Sequence, residues 1–256
     1  MMRRQMRHRG RGTGPGRHRR QAHSPAWSRG SEDEQWKDYV EKTHGLGGGL
    51  KPIHLERLFD REIREVGPIS HFNSGIMPED LALLRGLASL FSGCSYFEFT
   101  KVRCESLANM AGVAAECYSL SRPVTEMRRQ GMRRGYLYMM GYYSKAMPNV
   151  FTLTGDSSTY PFASLVKKFD LVFINNGHGY NRILNDTGKC FDYLVHDGSV
   201  VVWHDYSYPD GQIRYEVLAA ILDSTDLVNR EQLFFVPMTK CAIFLSESLL
   251  EKIPGN

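Results

Sequence analysis

Two histidines and an aspartate stand just beyond apolar runs, where reactive groups are useful. His178 follows Phe169–Asn175, and the adjacent pair His204 and Asp205 follows Ser199–Trp203. A histidine so placed can take a proton from an acceptor hydroxyl or amine, and a neighbouring aspartate can orient its ring. Three other run ends are also polar, Glu98 to Arg103, Ser121 and Gly155-Asp156-Ser157, and Asn175 is the polar end of its own run. In an open α/β sheet, ligands bind beyond the carboxyl ends of the strands, where strand order reverses. Five consecutive polar strand ends therefore point to a site without specifying a reaction. The same residues could instead cap helices or satisfy strand-end amides, and the His-Asp pair could simply bond local backbone.

The elements that must position these residues come from apolar patterning. Tyr96–Thr100, Glu116–Ser121, Val150–Leu153, Phe169–Asn175 and Ser199–Trp203 read as strands. Leu107, Met110, Ala111 and Ala114 space as one helical face; Tyr180, Ile183, Leu184, Thr187, Phe191 and Leu194 make another, and Ile213, Val217, Leu218 and Ile221 a third. Two strands near Phe234–Pro237 and Cys241–Leu245 close the chain. Strand and helix in alternation predict a parallel sheet covered on both faces, with the final β-β pair giving an antiparallel edge.

Upstream, the chain changes character twice. Residues 1–30 hold nine arginines and no acidic residue, with five glycines and two prolines. So little apolar material predicts a disordered Arg/Gly-rich tail. Without those nine, 23 Lys and Arg face 28 Asp and Glu over residues 31–256, a net −5, so the overall +4 belongs to the tail. Nucleic-acid binding would have to come through residues 1–30 alone. Residues 31–93 read as a helical preface. Ser31 and Glu34 have capping-box spacing, Leu55, Leu58, Phe59 and Ile63 suggest a second helix, and Pro78-Glu79-Asp80 opens a third through Leu83, Leu84, Leu87, Leu90 and Phe91. Residues 94–256 form the α/β unit.

No uncharged apolar run reaches the ~18–20 residues of a membrane span, and no apolar stretch follows the N-terminal charge as a secretory signal requires. Five scattered cysteines without Cys-x-x-Cys spacing argue against a disulfide framework or structural zinc, and for a cytoplasmic setting.

The sequence Tyr-Phe-Glu-Phe-Thr-Lys-Val-Arg-Cys-Glu-Ser (96–106), with Gly-Asp-Ser, Phe-Asp-Leu-Val-Phe-Ile-Asn-Asn-Gly-His and Val-Val-Trp-His-Asp-Tyr, resembles class I S-adenosylmethionine-dependent methyltransferases. The nearest group is a set of small bacterial enzymes whose first motif reads Glu-Ile-Gly-x-x-x-Gly-x-Ser. The resemblance covers about residues 95–246 and implies a Rossmann-like, doubly wound, mainly parallel seven-stranded sheet with an antiparallel edge strand, preceded by short helices. It also implies S-adenosylmethionine as cofactor. Glu98 takes the first-strand acidic position, Thr100 and Cys104 the two glycine positions, and Ser106 the serine. Ser121 stands where an acid would grip the ribose, Asp156 and Ser157 on the adenine side, and Asn175 where the fourth strand ends in aspartate. Glycine suits the first loop because backbone must approach the cofactor and can take φ > 0 there.

His178, His204 and Asp205 become the candidate catalytic residues. A related subgroup binds a divalent metal at the fourth and fifth strand ends. Here Asn175, His204 and Asp205 would supply one carboxylate, a poor fit to oxygen-seeking magnesium. The segment from Arg128 to Asn149 crowds Tyr136, Tyr138, Met139, Met140, Tyr142 and Tyr143 together, as a lid helix packed on the sheet or as a pocket wall. The implied activity is methyl transfer to a small-molecule or glycan acceptor, with no membrane partner. Two rivals stand beside it: a methyltransferase fold kept as a binding or scaffolding module, and a nucleic-acid methyltransferase tethered by the basic tail.

Overall fold

A computed structural model describes residues 29–59, 66, 75–99, 103–175, 179–251 and 253 of the chain. The continuous apolar runs become the centre of a sheet. Strand β5 (Leu171–Ile174) and strand β6 (Val200–Trp203) are buried at every residue, as runs apolar on both alternations require. Strands β2 (Ser95–Phe99), β3 (Glu116–Ser121) and β4 (Val150–Thr154) continue the sheet on one side. On the other side lie β8 (Ala242–Leu245), β7 (Leu233–Phe235) and β1 (Lys51–Pro52). The full order is β1-β7-β8-β6-β5-β2-β3-β4.

All neighbouring pairs are parallel except the two made by β8, which runs antiparallel to β6 and to β7. Two details differ from the sequence expectation. The sheet has eight strands, because Lys51 and Pro52 of the preface pair with Phe234 and Phe235. The antiparallel strand lies toward that end of the sheet but is lined on both sides, with β1 outermost.

Helices α2 (Leu55–Leu58), α3 (Pro78–Ala88) and α4 (Glu105–Met110) cover one face, burying Leu83, Leu84, Leu87 and Leu107 against Tyr96, Phe173, Val200 and Val202. Each Leu fully removed from water contributes about 1.5–3 kcal/mol. The opposite face carries α7 (Tyr180–Lys189), a π-helical turn (Cys190–Leu194) and α8 (Tyr215–Ser224), packed on Phe97, Phe99, Val172, Ile174, Val201 and Trp203. Helix α1 (Arg29–His44), which starts two residues before Ser31, docks on α8. Trp36 stacks on Tyr180 at 4.9 Å. Tyr39 Oη, Tyr180 Oη and His44 Nε2 all converge on the Asp223 carboxylate, at 2.9, 2.6 and 2.9 Å. Short helices α5 (Val124–Arg129) and α6 (Arg134–Tyr138) replace the single lid helix expected after β3, and α9 (Glu247–Leu250) ends the chain's described structure. Among the described residues, no helix is long and apolar enough to cross a membrane. Ile63 and the tail residues 1–28 lie outside the described residues.

Candidate functional site

Strand order reverses between β2 and β5, since β2 bonds β3 on one side and β5 on the other. The crevice beyond their carboxyl ends is therefore the place a ligand is expected. Thr100 and His178 belong to this region by sequence but lie outside the described residues. Asn175 ends β5 there: its backbone N–H donates to Phe99 O at 3.2 Å, and the residue is buried. Glu98 is closed from solvent, with its Oε2 accepting the Tyr96 phenol at 2.7 Å. Burial and the nearby carboxylate hold the Tyr96 phenol well above its ordinary pKa, so it stays a donor.

Cys104 answers the question its position raised. It opens α4 with φ 64° and ψ 41°, the left-handed conformation glycine adopts freely. Its side chain is turned into the core, leaving 7 % of the residue exposed. Cys104 thus takes a glycine-like backbone conformation with its side chain packed in the core. Ser106, one turn on, is buried within α4.

Ser121 and Asp156 meet at the ends of β3 and β4. Gly155 N donates to Ser121 O at 2.9 Å. Gly155 has little room: a Cβ there would stand 2.7 Å from Tyr160 Cδ2. Asp156 accepts from Ser158 N at 2.9 Å and Ser158 Oγ at 2.6 Å, and Arg122 Nε and Arg182 lie 3.5 and 3.9 Å from it. Partial burial works to raise its pKa, but the Ser158 hydrogen bonds and the two guanidiniums prevail and hold it below the ordinary value. Ser157 is buried beside it.

The His204–Asp205 pair has a different character. His204 is 7 % exposed, with Nε2 3.1 Å from Asp80 Oδ2 and Nδ1 3.2 Å from Asp205 Oδ1. Asp80, fully buried in the first turn of α3, also accepts Met77 N and Lys240 N, each at 2.8 Å. Lys240 Nζ reaches Asp205 Oδ1 at 3.2 Å and also donates to Gly75 O. Arg214 stands 3.8 Å from the other Asp205 oxygen. Burial pushes the His204 pKa down, yet the hydrogen bonds and charges of Asp205 and Asp80 outweigh it and the pKa is raised. Burial likewise opposes ionisation of Asp80, and His204 with two backbone donors lowers its pKa regardless.

His204 Nε2 pairs with Asp80 and Nδ1 faces Asp205 at ion-pair distance, so the pair ties α3 to the ends of β6 and β8. The sequence showed the His-Asp pair but not its partners. Asp80 is 124 positions from His204, and no local spacing connects them. Among the described residues, no three His, Cys, Asp or Glu side chains are grouped as a metal site would need.

Ser121, Asp156 and Asn175 bring a hydroxyl, a carboxylate and an amide to the ends of β3, β4 and β5, groups that could hold a nucleoside. Comparison with known proteins adds to this. Residues 104–206 match the model of a family described as a methyltransferase domain. No curated protein sequence matches the chain.

Among solved structures, the O-methyltransferase NovP is similar at 11% identity, with 66% of this chain and 80% of that one covered and a TM-score of 0.48. A putative caffeoyl-CoA O-methyltransferase from Staphylococcus aureus gives 14% identity, 84% and 92% coverage, and a TM-score of 0.45. Aeropyrum pernix fibrillarin, solved with natively bound S-adenosyl-L-methionine, gives 12% identity, 64% and 71% coverage, and a TM-score of 0.41. The stretch from Cys104 to Tyr206, which runs from the head of α4 past the end of β6, is thus similar to a methyltransferase domain.

Proposed function

We propose that the protein transfers a methyl group from S-adenosylmethionine to a small-molecule or glycan acceptor. The observation that carries this reading is the methyltransferase-domain match over residues 104–206. That span contains the strand ends at Cys104, Ser121, Asp156 and Asn175. Bound in the crevice, the cofactor would supply an electrophilic methyl on a sulfonium. The chain's own contribution is to hold and orient. The left-handed Cys104 backbone would admit the methionine end, Ser121 would hold the ribose, and Asp156 and Ser157 would hold the base. The Asp80–His204–Asp205 network fixes the floor, so that the acceptor meets the methyl in line, an orientation effect of the kind worth several powers of ten in rate. We assign removal of the acceptor proton to His178, and we place the protein in the cytoplasm on its cysteine usage.

The rival reading is a binding module that has lost turnover, and one observation favours it. The Asp156 carboxylate is already occupied by Ser158, Arg122 and Arg182. Calorimetric titration of the full chain with S-adenosylmethionine and S-adenosylhomocysteine separates the two. Saturable binding of both is expected. Absence of heat with either ligand would transfer the argument to the binding module.

A further inference from the structure

A cavity of about 510 Å3 lies on the face of β3 and β4, beneath α5 and α6. Its floor is a set of hydroxyls. Ser119 pairs with Thr152 and Ser121 with Thr154, so all four side chains share one face. The same face of β5 and β6 is wholly apolar, with Leu171, Phe173, Val200 and Val202 packed beneath helices. Under α5 and α6 no helix closes on the floor, and Thr152 and Thr154 stay exposed. The roof is soft and apolar, built mainly from Met127, Met132 and Met140 with Tyr136.

Two observations give the cavity a ligand's character. Ser119 lines it and is fully buried, and its Oγ has no hydrogen-bond partner. Leaving a buried hydroxyl unpaired is costly, and an occupant with an acceptor atom would recover that cost. The charge is also one-sided: among the described residues, Lys145 and Arg122 line the cavity and no acidic side chain does. Arg122 is engaged with Asp156 and with Gln130, so among the described residues Lys145 is the cation at the disposal of an occupant.

We propose that this cavity binds a planar, apolar small molecule bearing an anionic head group. The flat strand floor and the methionine roof enclose a slab, and thioethers make favourable contacts with aromatic rings. The volume is that of an ordinary small-molecule site. Ser119 donates to the ligand and Lys145 pairs with its head. Asp156 and Asn175, the nucleoside-side residues of the crevice, do not line the cavity, although Cys104 and Ser121 border both. The inference does not rest on the methyl-transfer reading.

The test uses anilinonaphthalene sulfonate, a planar aromatic anion that fluoresces in apolar surroundings, titrated into the full chain. Saturable binding of a single molecule per chain is expected. Thr152→Tyr fills the floor with a residue suited to an edge strand, so the fold should hold while binding weakens about tenfold or more. Lys145→Gln, at an exposed position, should weaken the sulfonate about threefold and leave the neutral phenylnaphthylamine unaffected. Three results would overturn the proposal: unsaturable binding at many sites, unchanged sulfonate binding in the Lys145 variant, or displacement by S-adenosylhomocysteine, which would make the cavity part of the nucleoside site. A Thr152 variant that melts early leaves the Lys145 variant and the displacement assay to decide. Failure to bind S-adenosylmethionine, by contrast, would end the methyl-transfer reading and leave this one standing.

Discussion

The two ends of the sheet treat polar groups in opposite ways. At the β6–β8 end, Asp80, His204 and Lys240 are buried, and with Asp205 they stand in a chain of ion pairs at 3.1–3.2 Å. At the β3–β4 end, Ser119 is buried without a partner and the threonines beside it face an open cavity. A closed network of charges fixes three elements in one arrangement, and breaking it leaves an uncompensated ion. An unfilled hydroxyl floor fixes nothing and is completed only by something that enters. Polar residues near a strand end are thus not one class: their partners decide whether they hold the fold or wait for a ligand.

The largest effect should come from the closed end. Asp80→Ala removes the partner of the His204 ring and of the Lys240 amide, and should cost about 3–5 kcal/mol in urea unfolding. A loss below about 1 kcal/mol would put Asp80 on the footing of an ordinary hydrogen bond and break the comparison.

The same network sets a pH dependence. His204 has a raised folded pKa, so its contribution is complete below the ordinary imidazole value and fades as pH rises through the folded one. Asp80 has a lowered pKa, so its contribution is present above the ordinary carboxylate value and is lost as pH falls through the folded one. The stability difference between the natural protein and His204→Gln should therefore peak between those two ordinary values. A difference that grows steadily toward alkaline pH would contradict a raised His204 pKa.

Cys104 gives a smaller effect and sharpens the boundary between the two ends. Valine at φ 64° should cost about 1–2 kcal/mol in melting experiments, because a β-branched side chain crowds the left-handed backbone. Cys104→Gly should cost less, since relief of that strain offsets the lost thiol packing. Equal losses would mean that core contact, and not backbone conformation, governs the position.

The smallest effect belongs to the open end. Ser119→Ala should change stability by no more than about 1 kcal/mol, in the stabilising direction, because it removes a desolvated hydroxyl with nothing to lose. A loss of several kcal/mol would show a bonded hydroxyl and close the contrast between the ends.

Much of this was legible in the chain. Leu171–Ile174 and Val200–Trp203 announce central strands because residues apolar on both alternations require two covered faces. The polar residue after each strand marks the crevice because strand ends are where an α/β sheet meets its ligand. Strand β1 was not legible. Lys51 and Pro52 are two exposed residues with no periodicity, and proline is tolerated there because the strand is at the sheet's edge. The crowded tyrosines and methionines after β3 read first as a lid helix packed on the sheet and second as a pocket wall, and the structure shows two short helices above a cavity.

The sequence by itself determined the alternating α/β layers and the polar strand ends, because both depend on local spacing, whereas the glycine-like place of Cys104 was implied by the family resemblance. Only the tertiary structure decided that His204 lies between two carboxylates and that Ser119 lacks a partner. Both depend on which distant residues fold against the strand end: Asp80 comes from 124 positions away, and the space above Ser119 is left by helices too short to fill it. Charge state and hydrogen-bond satisfaction are properties of neighbours in space, and neighbours that far apart in sequence leave no periodic trace.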